Sequence, residues 1–261
     1  MIKRIKHKNK LAELRGIRRI LNQHLKELIR QKDRINEDIF GFTRFILEEN
    51  IETYESMIIL YKKDHLRGCL LLSRSILENS VNLRYVYKQD SERRAKNYIL
   101  FSIKISLKRL KENKDNVPNK DKVISSLEKI VQNYSPDGNM QGHWDGMSVK
   151  KVFDDMEQGP IYEEYYSRLS GYSHSQFKTI RDLDQERPYN DFLKKFIFKD
   201  LAIVACSALK DINEKYNLIE GGICISDYPK QGDKCFFTFS NSAIIQKVEQ
   251  KLRKNKKLFE L

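Results

Sequence analysis

The chain has 261 residues, of which 40% are hydrophobic and 33% charged, with only 11 glycines and 5 prolines. This composition excludes a chain that is disordered throughout and predicts one mostly α-helical unit with a hydrophobic core of its own. The net charge of +13 is concentrated at the ends, because residues 1–34 hold 12 Lys/Arg against 3 Asp/Glu and residues 247–260 hold 6 against 2, whereas the rest has 31 of each sign.

The N-terminal segment is predicted to be an amphipathic helix over residues 9–34. Its apolar stripe recurs at spacings of three and four, and consists of Leu11, Leu14, Ile17, Leu21, Leu25 and Leu28. The other face is basic. We expect the basic ends of the chain to contact nucleic acid or a partner protein, and the alternative is a solvated helix face.

Four helices are expected in the next hundred residues. A second helix runs from about Glu37 to Lys62, a third from His65 to Lys88 and a fourth over residues 91–114. Pro118 breaks the fourth helix, and a short fifth helix follows from Lys120 to Tyr134. The third helix is apolar nearly all the way round at 100° per residue, which is typical of a central helix in a bundle.

Two charged residues interrupt the apolar third helix. Arg74 and Glu78 are four residues apart and therefore share one face with apolar neighbours, and Asn82 extends the same stripe. An isolated charge in an apolar environment costs several kcal/mol unless it is paired. The pair is therefore predicted to be mutually neutralised or to bind a polar group.

A polar, glycine-rich loop over residues 135–148 carries Trp144, the only tryptophan. A loop of this length inside a domain is often functional. Gly159-Pro160 then opens a helix, and Pro188 closes the segment that follows it. A further helix is expected over residues 192–216.

The C-terminal part is predicted to contain a small β-hairpin over residues 221–240 and a final basic helix over about 241–257. We divide the chain into a basic N-terminal helix (1–36), a helical-bundle core (37–217) and the hairpin with its terminal helix (218–261), all within a single domain.

The cysteines and the apolar runs indicate a reducing, cytoplasmic setting. Cys69 and Cys206 lie in apolar helical runs and behave as small hydrophobes, while Cys224 and Cys235 leave a disulfide or half of a metal site open. No secretory h-region and no apolar run of membrane-spanning length is present, so secretion and membrane insertion are disfavoured. We expect neither a metal nor a cofactor, since no phosphate loop, HExxH or paired-cysteine motif occurs.

The segment "EEYYSRLSGYSHSQ" (163–176) contains the candidate catalytic residues Arg168 and His174. Histidine can transfer protons near neutral pH, and arginine can stabilise a charged phosphorane, as metal-independent RNA cleavage requires. A second arginine–histidine spacing ends at His24, where an exposed or partly covered imidazole is expected. On a straight helix Arg168 and His174 point about 120° apart, so a bend at Gly171 or a second chain must complete the site.

Three separated elements resemble a large bacterial and archaeal family of helical proteins of unknown function. They are "SRSILENSVNLRYVY", the loop "HWDGMSVKKVF" and "YYSRLSGYSH", together covering roughly residues 40–215. The resemblance implies Arg74, Glu78, Ser170 and His174 as matching site positions, and it implies a HEPN-like helical bundle, since such proteins also carry a late arginine and histidine.

Two functions follow as hypotheses. The first is a metal-independent endoribonuclease of a bacterial defence or toxin system, acting as a homodimer, with His174 as acid/base, Arg168 or Arg74 as the phosphate-binding cation and Glu78 as their orienting partner. The second is a non-catalytic helical module, in which Arg74, Glu78 and His174 form a buried polar network, Ser170, Asn82 and Tyr172 hold a ligand or complete that network, and the basic ends bind nucleic acid or a partner.

Overall fold

The chain is mostly helical in the part that a computed structural model describes, namely residues 2–112, 118–134, 145–167, 169–170, 197, 200–219, 224–225 and 237–238. This confirms the predicted fold class at the level of secondary structure. The helices in chain order are α1 (Ile2–Arg30), α2 (Glu37–Lys62), α3 (Leu66–Lys88), α4 (Ser91–Glu112), α5 (Lys120–Tyr134), α6 (Val149–Asp155), α7 (Gly159–Ile161) and α8 (Leu201–Tyr216).

Helices α1 and α2 pack against each other and are joined by a tight connection. A single 3-10 turn, Lys32–Arg34, follows α1, and Asn36 caps α2 by accepting hydrogen bonds from the backbone N–H groups of Asp38 and Ile39 at 3.0 and 3.3 Å. These bonds satisfy amide groups that a helix leaves without partners at its start. The cap explains why the predicted start of α2 is confirmed.

Helix α3 lies at the centre of the bundle, as its all-round apolar pattern predicts. It packs against α2 on one side and α8 on the other, and it buries Cys69, Leu70, Ile76, Leu77, Val81 and Val86. Gly68 permits a close approach to α2, because a Cβ at this position would lie 2.8 Å from a methyl carbon of Leu60. Helix α4 packs against α2, and α5 packs against α4.

Helix α6 brings the chain back to α3, and α7 packs against α6. Ser148 caps α6 by accepting a hydrogen bond from the Lys151 N–H at 3.2 Å. Gly159-Pro160 opens α7, as predicted, but the helix widens at once into a π-helical turn, Tyr162–Tyr166. Tyr165 and Tyr166 are buried in that turn, so the wider turn packs aromatic rings into the core.

Several predicted boundaries need correction. Helix α1 begins at Ile2 rather than residue 9 and ends at Arg30. Helix α6 was not predicted, because seven residues are too few for a clear helical period. Within the predicted helix 192–216, the structure describes an α-helix over Leu201–Tyr216, and most of the residues before it lie outside the described part.

The predicted C-terminal hairpin is not confirmed. Two residues, Cys224–Ile225, pair antiparallel with Phe237–Thr238, and the residues between them lie outside the described part. A pairing this short does not establish a hairpin. The predicted terminal helix and the side chains of Cys224 and Cys235 also lie outside the described residues.

Cys69 and Cys206 are buried thiols, as expected of small hydrophobes in apolar helical runs. The Cys69 thiol donates to the carbonyl oxygen of Met57 at 3.5 Å, and burial raises its pKa to about 11. Among the described residues, none of the helices is both long and apolar enough to cross a membrane.

Candidate functional site

Arg74 and Glu78 of α3 meet the π-helical turn through one hydroxyl group. The Tyr166 hydroxyl accepts a hydrogen bond from Arg74 Nη2 at 3.1 Å and donates one to Glu78 Oε2 at 2.8 Å. The Arg74 guanidinium also lies 5.1 Å from the centroid of the Tyr166 ring, within cation–π range. We call these three residues the Arg74–Glu78–Tyr166 network.

The network lies at the edge of the core rather than inside it. Tyr166 is buried, and its ring packs 5.3 Å from that of Phe153 in α6. Arg74 and Glu78 are only half-buried, although a buried polar network was predicted for them. The apolar arc of α3 ends at this edge, which leaves both charged groups partly in contact with solvent.

Burial and the Glu78 carboxylate keep two phenols protonated, that of Tyr166 and that of Tyr98, which is not part of the network. Burial and the Glu78 carboxylate raise the pKa of Tyr166 to about 12, and burial with Glu78 and Glu49 raises the pKa of Tyr98 to about 12. Tyr166 is therefore a stable hydrogen-bond donor to Glu78 at neutral pH. Its hydroxyl fixes the position of the Glu78 carboxylate relative to the Arg74 guanidinium.

The remaining predicted site residues are only partly described. Asn82 is buried in α3, and Ser170 is half-buried in a helical turn after the π-helical one. Arg168, Tyr172 and His174 lie outside the described residues. Among the described residues, the Tyr/Ser-rich segment contacts Arg74 and Glu78 of α3 through Tyr166, which was not among the predicted site residues.

His24 is fully buried, which corrects the expectation of an exposed or partly covered imidazole. Its Nδ1–H donates to the Ile20 carbonyl oxygen at 2.9 Å, so Nδ1 carries a proton. Burial lowers the pKa of His24 to about 4. A sealed imidazole with this pKa cannot exchange protons with a substrate at neutral pH, so His24 is a core residue.

A second polar cluster, which sequence reasoning missed, centres on Asp145. Its carboxylate accepts hydrogen bonds from the Tyr85 hydroxyl at 2.9 Å, Arg93 Nη1 at 2.8 Å and Asn97 Nδ2 at 3.1 Å, and Arg94 Nε lies 3.7 Å away. The Asp145 and Arg94 side chains are only 7% and 5% exposed. We call this group the Asp145 clasp, because it fixes the residues before α6 against α3 and α4.

The arginine of the clasp is itself held tightly. Arg94 Nη1 donates to the Tyr85 carbonyl oxygen at 2.6 Å, and its guanidinium lies 3.7 Å from the centroid of the Tyr85 ring. Although burial alone would raise the pKa of Asp145, the hydrogen bonds from Asn97, Tyr85 and Arg93 outweigh it, and the pKa is lowered. One signal in the sequence could have identified Asp145, namely an acidic residue between Trp144 and a glycine, just before a serine cap.

Gly146 provides the sharp turn that the clasp requires. Its φ of +73° lies in the left-handed region, which favours glycine. The chain therefore leaves Asp145, turns at Gly146 and enters α6 at Ser148. Among the described residues, no group of His, Cys, Asp or Glu side chains could hold a metal ion.

A family of unknown function, DUF5677, matches residues 42–190, which is more than half of the chain. The chain belongs to this family. The DUF5677 match includes α3, the Asp145 clasp and the π-helical turn, and hence both polar clusters. No curated protein and no solved structure matches the chain.

Proposed function

We propose that this DUF5677 member is a HEPN-like, metal-independent endoribonuclease that acts as a homodimer in a bacterial defence or toxin system. One observation carries the proposal. The Tyr166 hydroxyl binds both Arg74 and Glu78. Tyr166 lies just before Arg168 and His174 in the sequence, so this segment contacts a pair of charged, half-buried side chains. An arginine, a carboxylate and a histidine are the groups that such cleavage uses.

The proposed chemistry needs no metal. His174 accepts the proton of a ribose 2′-hydroxyl, whose oxygen attacks the adjacent phosphorus, and the bond from phosphorus to the 5′-oxygen breaks. The leaving oxygen takes up a proton from water, His174 later returns its proton to the solvent, and the products are a 2′,3′-cyclic phosphate and a 5′-hydroxyl. Arg74 or Arg168 stabilises the charge on the phosphorane, while Glu78 and Tyr166 position the guanidinium.

The test is cleavage of total RNA in EDTA by wild type and by His174→Ala. His65→Ala is a matched control, because His65 is exposed in the turn before α3. We expect 5′-hydroxyl fragments from wild type and His65→Ala, and a fall of at least about 100-fold in His174→Ala. Equal cleavage by wild type and His174→Ala would sink the proposed role of His174. No cleavage by any of them, with cell extract added to supply an activating signal, would exclude the activity.

A non-catalytic role is the second candidate, and one feature of the network favours it. Tyr166 is buried and uses its hydroxyl both to donate and to accept, so part of the hydrogen-bonding capacity of Arg74 and Glu78 is satisfied within the chain. Such a network can fix helix packing without any reaction. If Tyr166→Phe lowers stability while no variant has activity on RNA, this reading is preferred.

A further inference from the structure

A basic groove runs between α1 and α2, and none of its lining residues belongs to either polar cluster. It has a volume of about 530 Å³ and is lined by five cationic side chains and one carboxylate: Arg15, Arg18, Arg19, Lys26, Lys62 and Glu55. Glu55 forms an ion pair with Arg18 at 2.7 Å. Arg15, Arg19, Lys26 and Lys62 are exposed, so the groove has a strong positive excess at its open side.

The cationic side chains form a row along the groove and do not surround a single point. Arg15, Arg19 and Lys26 lie on one face of α1 at spacings of four and seven residues. With a rise of 1.5 Å per residue, the row is about 16 Å long. A row of charges suits a linear polyanion better than it suits one small anion. Two arginines in the row can each bind a phosphate through two parallel N–H groups.

We propose that this groove binds the phosphate backbone of single-stranded RNA. The choice of RNA over DNA rests on the proposed function above, whereas the choice of a phosphodiester chain rests on the charge and shape of the groove. The groove lies on the surface where α1 packs on α2, so one strand can lie along it with its phosphates against the row of cations. A duplex presents its phosphates on a broad convex surface and does not enter such a groove.

An anionic membrane surface fits this site less well. A helix that lies on a membrane inserts its apolar face into the lipid. The apolar face of α1, which includes Leu14, Ile17 and Leu21, is already buried in the bundle. Within the groove, Ile59 is exposed and Ile58 is buried, which offers little apolar area for insertion.

The proposal is tested by fluorescence anisotropy with a labelled 20-nucleotide oligo(U), using the full chain carrying His174→Ala so that the probe is not cleaved. The four exposed cations predict a plot of log affinity against log salt with a slope of about −3, or a loss of about 50-fold between 50 and 200 mM salt. Arg15→Glu with Arg19→Glu should lower affinity at 100 mM salt by at least about 20-fold and reduce the slope to about −1.

Two control variants separate the groove from net charge. Lys122→Glu with Lys129→Glu changes the charge by the same amount at exposed positions of α5, which packs against α4. We expect it to alter affinity less than about threefold, since charges beyond a Debye length of about 10 Å are screened. Arg15→Lys with Arg19→Lys should keep the slope and bind more weakly than wild type. Circular dichroism of each variant checks that the fold is intact.

Several results would overturn the proposal. One is an equal loss of binding in the α5 control and the groove variant, and another is wild-type affinity in the groove variant. Equal binding of poly-glutamate and oligo(U), or binding of phosphatidylserine vesicles without binding of oligo(U), would assign the groove to a different partner. Because binding is measured in the His174→Ala background, it holds or fails independently of the ribonuclease activity.

Discussion

Replacing Asp145 with asparagine removes a charge while keeping the shape of the side chain, and it tests the Asp145 clasp directly. The carboxylate accepts three hydrogen bonds, from Tyr85, Arg93 and Asn97, and faces the buried Arg94 at 3.7 Å. Breaking a buried pair by removing one partner costs about 3–5 kcal/mol. Because Arg93 is half-exposed and an asparagine oxygen still accepts a hydrogen bond, we expect a loss of about 3 kcal/mol.

Urea unfolding at pH 7, followed by circular dichroism, measures this loss. Asp154→Asn is the matched control, because Asp154 is exposed in α6, and it should change the free energy of unfolding by less than about 0.5 kcal/mol. A loss below about 1 kcal/mol in Asp145→Asn would refute the reasoning. A double-mutant cycle with Tyr85→Phe should give a coupling energy of about 1 kcal/mol, since the two side chains share a hydrogen bond.

The pH dependence provides an independent check on the same residue. The pKa of Asp145 is lowered in the folded chain, so its contribution is complete above the unfolded value and is lost as the pH falls through the folded pKa. The stability difference between wild type and Asp145→Asn should therefore stay constant from pH 7 to about pH 4.5 and shrink below about pH 4.

Two further predictions concern Tyr166 and His24. Tyr166→Phe removes the shared hydroxyl but keeps the ring, and we expect urea unfolding to show a loss of about 1.5–3 kcal/mol; a change below about 0.5 kcal/mol would mean that the network does not hold the turn against α3. Burial lowers the pKa of His24 to about 4, so the unfolded chain binds more protons than the folded one between about pH 6.5 and 4. Stability should fall by about 3 kcal/mol as the pH drops through that range. His24→Leu should flatten this dependence, and an unchanged slope in His24→Leu would assign it to another group.

The sequence predicted elements well where local signals mark their ends. The predicted bounds of α2 and α5 agree with the structure, in which Asn36 caps the first helix and Pro118 precedes the second. The first helix shows how polarity can mislead. Leu14, Ile17, Leu21, His24 and Leu28 recur at spacings of three and four and are all buried, whereas Leu25, which was assigned to the stripe, is half-buried. The spacing of these residues would have predicted a buried His24. The residue was expected at or near the surface because histidine is polar.

The candidate site was less predictable because its contacts join distant parts of the chain. Arg74 and Glu78 were identified as a pair on α3, but no local pattern reveals that a tyrosine about ninety residues later lies between them. The π-helical turn that presents Tyr166 departs from the 3.6-residue period on which helix prediction depends. Asp145 was missed for the same reason, since its partners lie on α3 and α4, about fifty to sixty residues earlier.

The two proposed activities are separable in the chain itself. The Arg74–Glu78–Tyr166 network and the Asp145 clasp lie within the residues that match DUF5677, whereas the groove takes Arg15, Arg19 and Lys26 from α1, before the match begins. Only the α2 side of the groove, including Lys62, lies inside the match. A chemical step that uses the network would therefore belong to the matched part of the chain, while the choice of RNA would depend on a helix outside it. Groove variants should thus change the affinity for RNA, and network variants should change the rate at which bound RNA is cleaved.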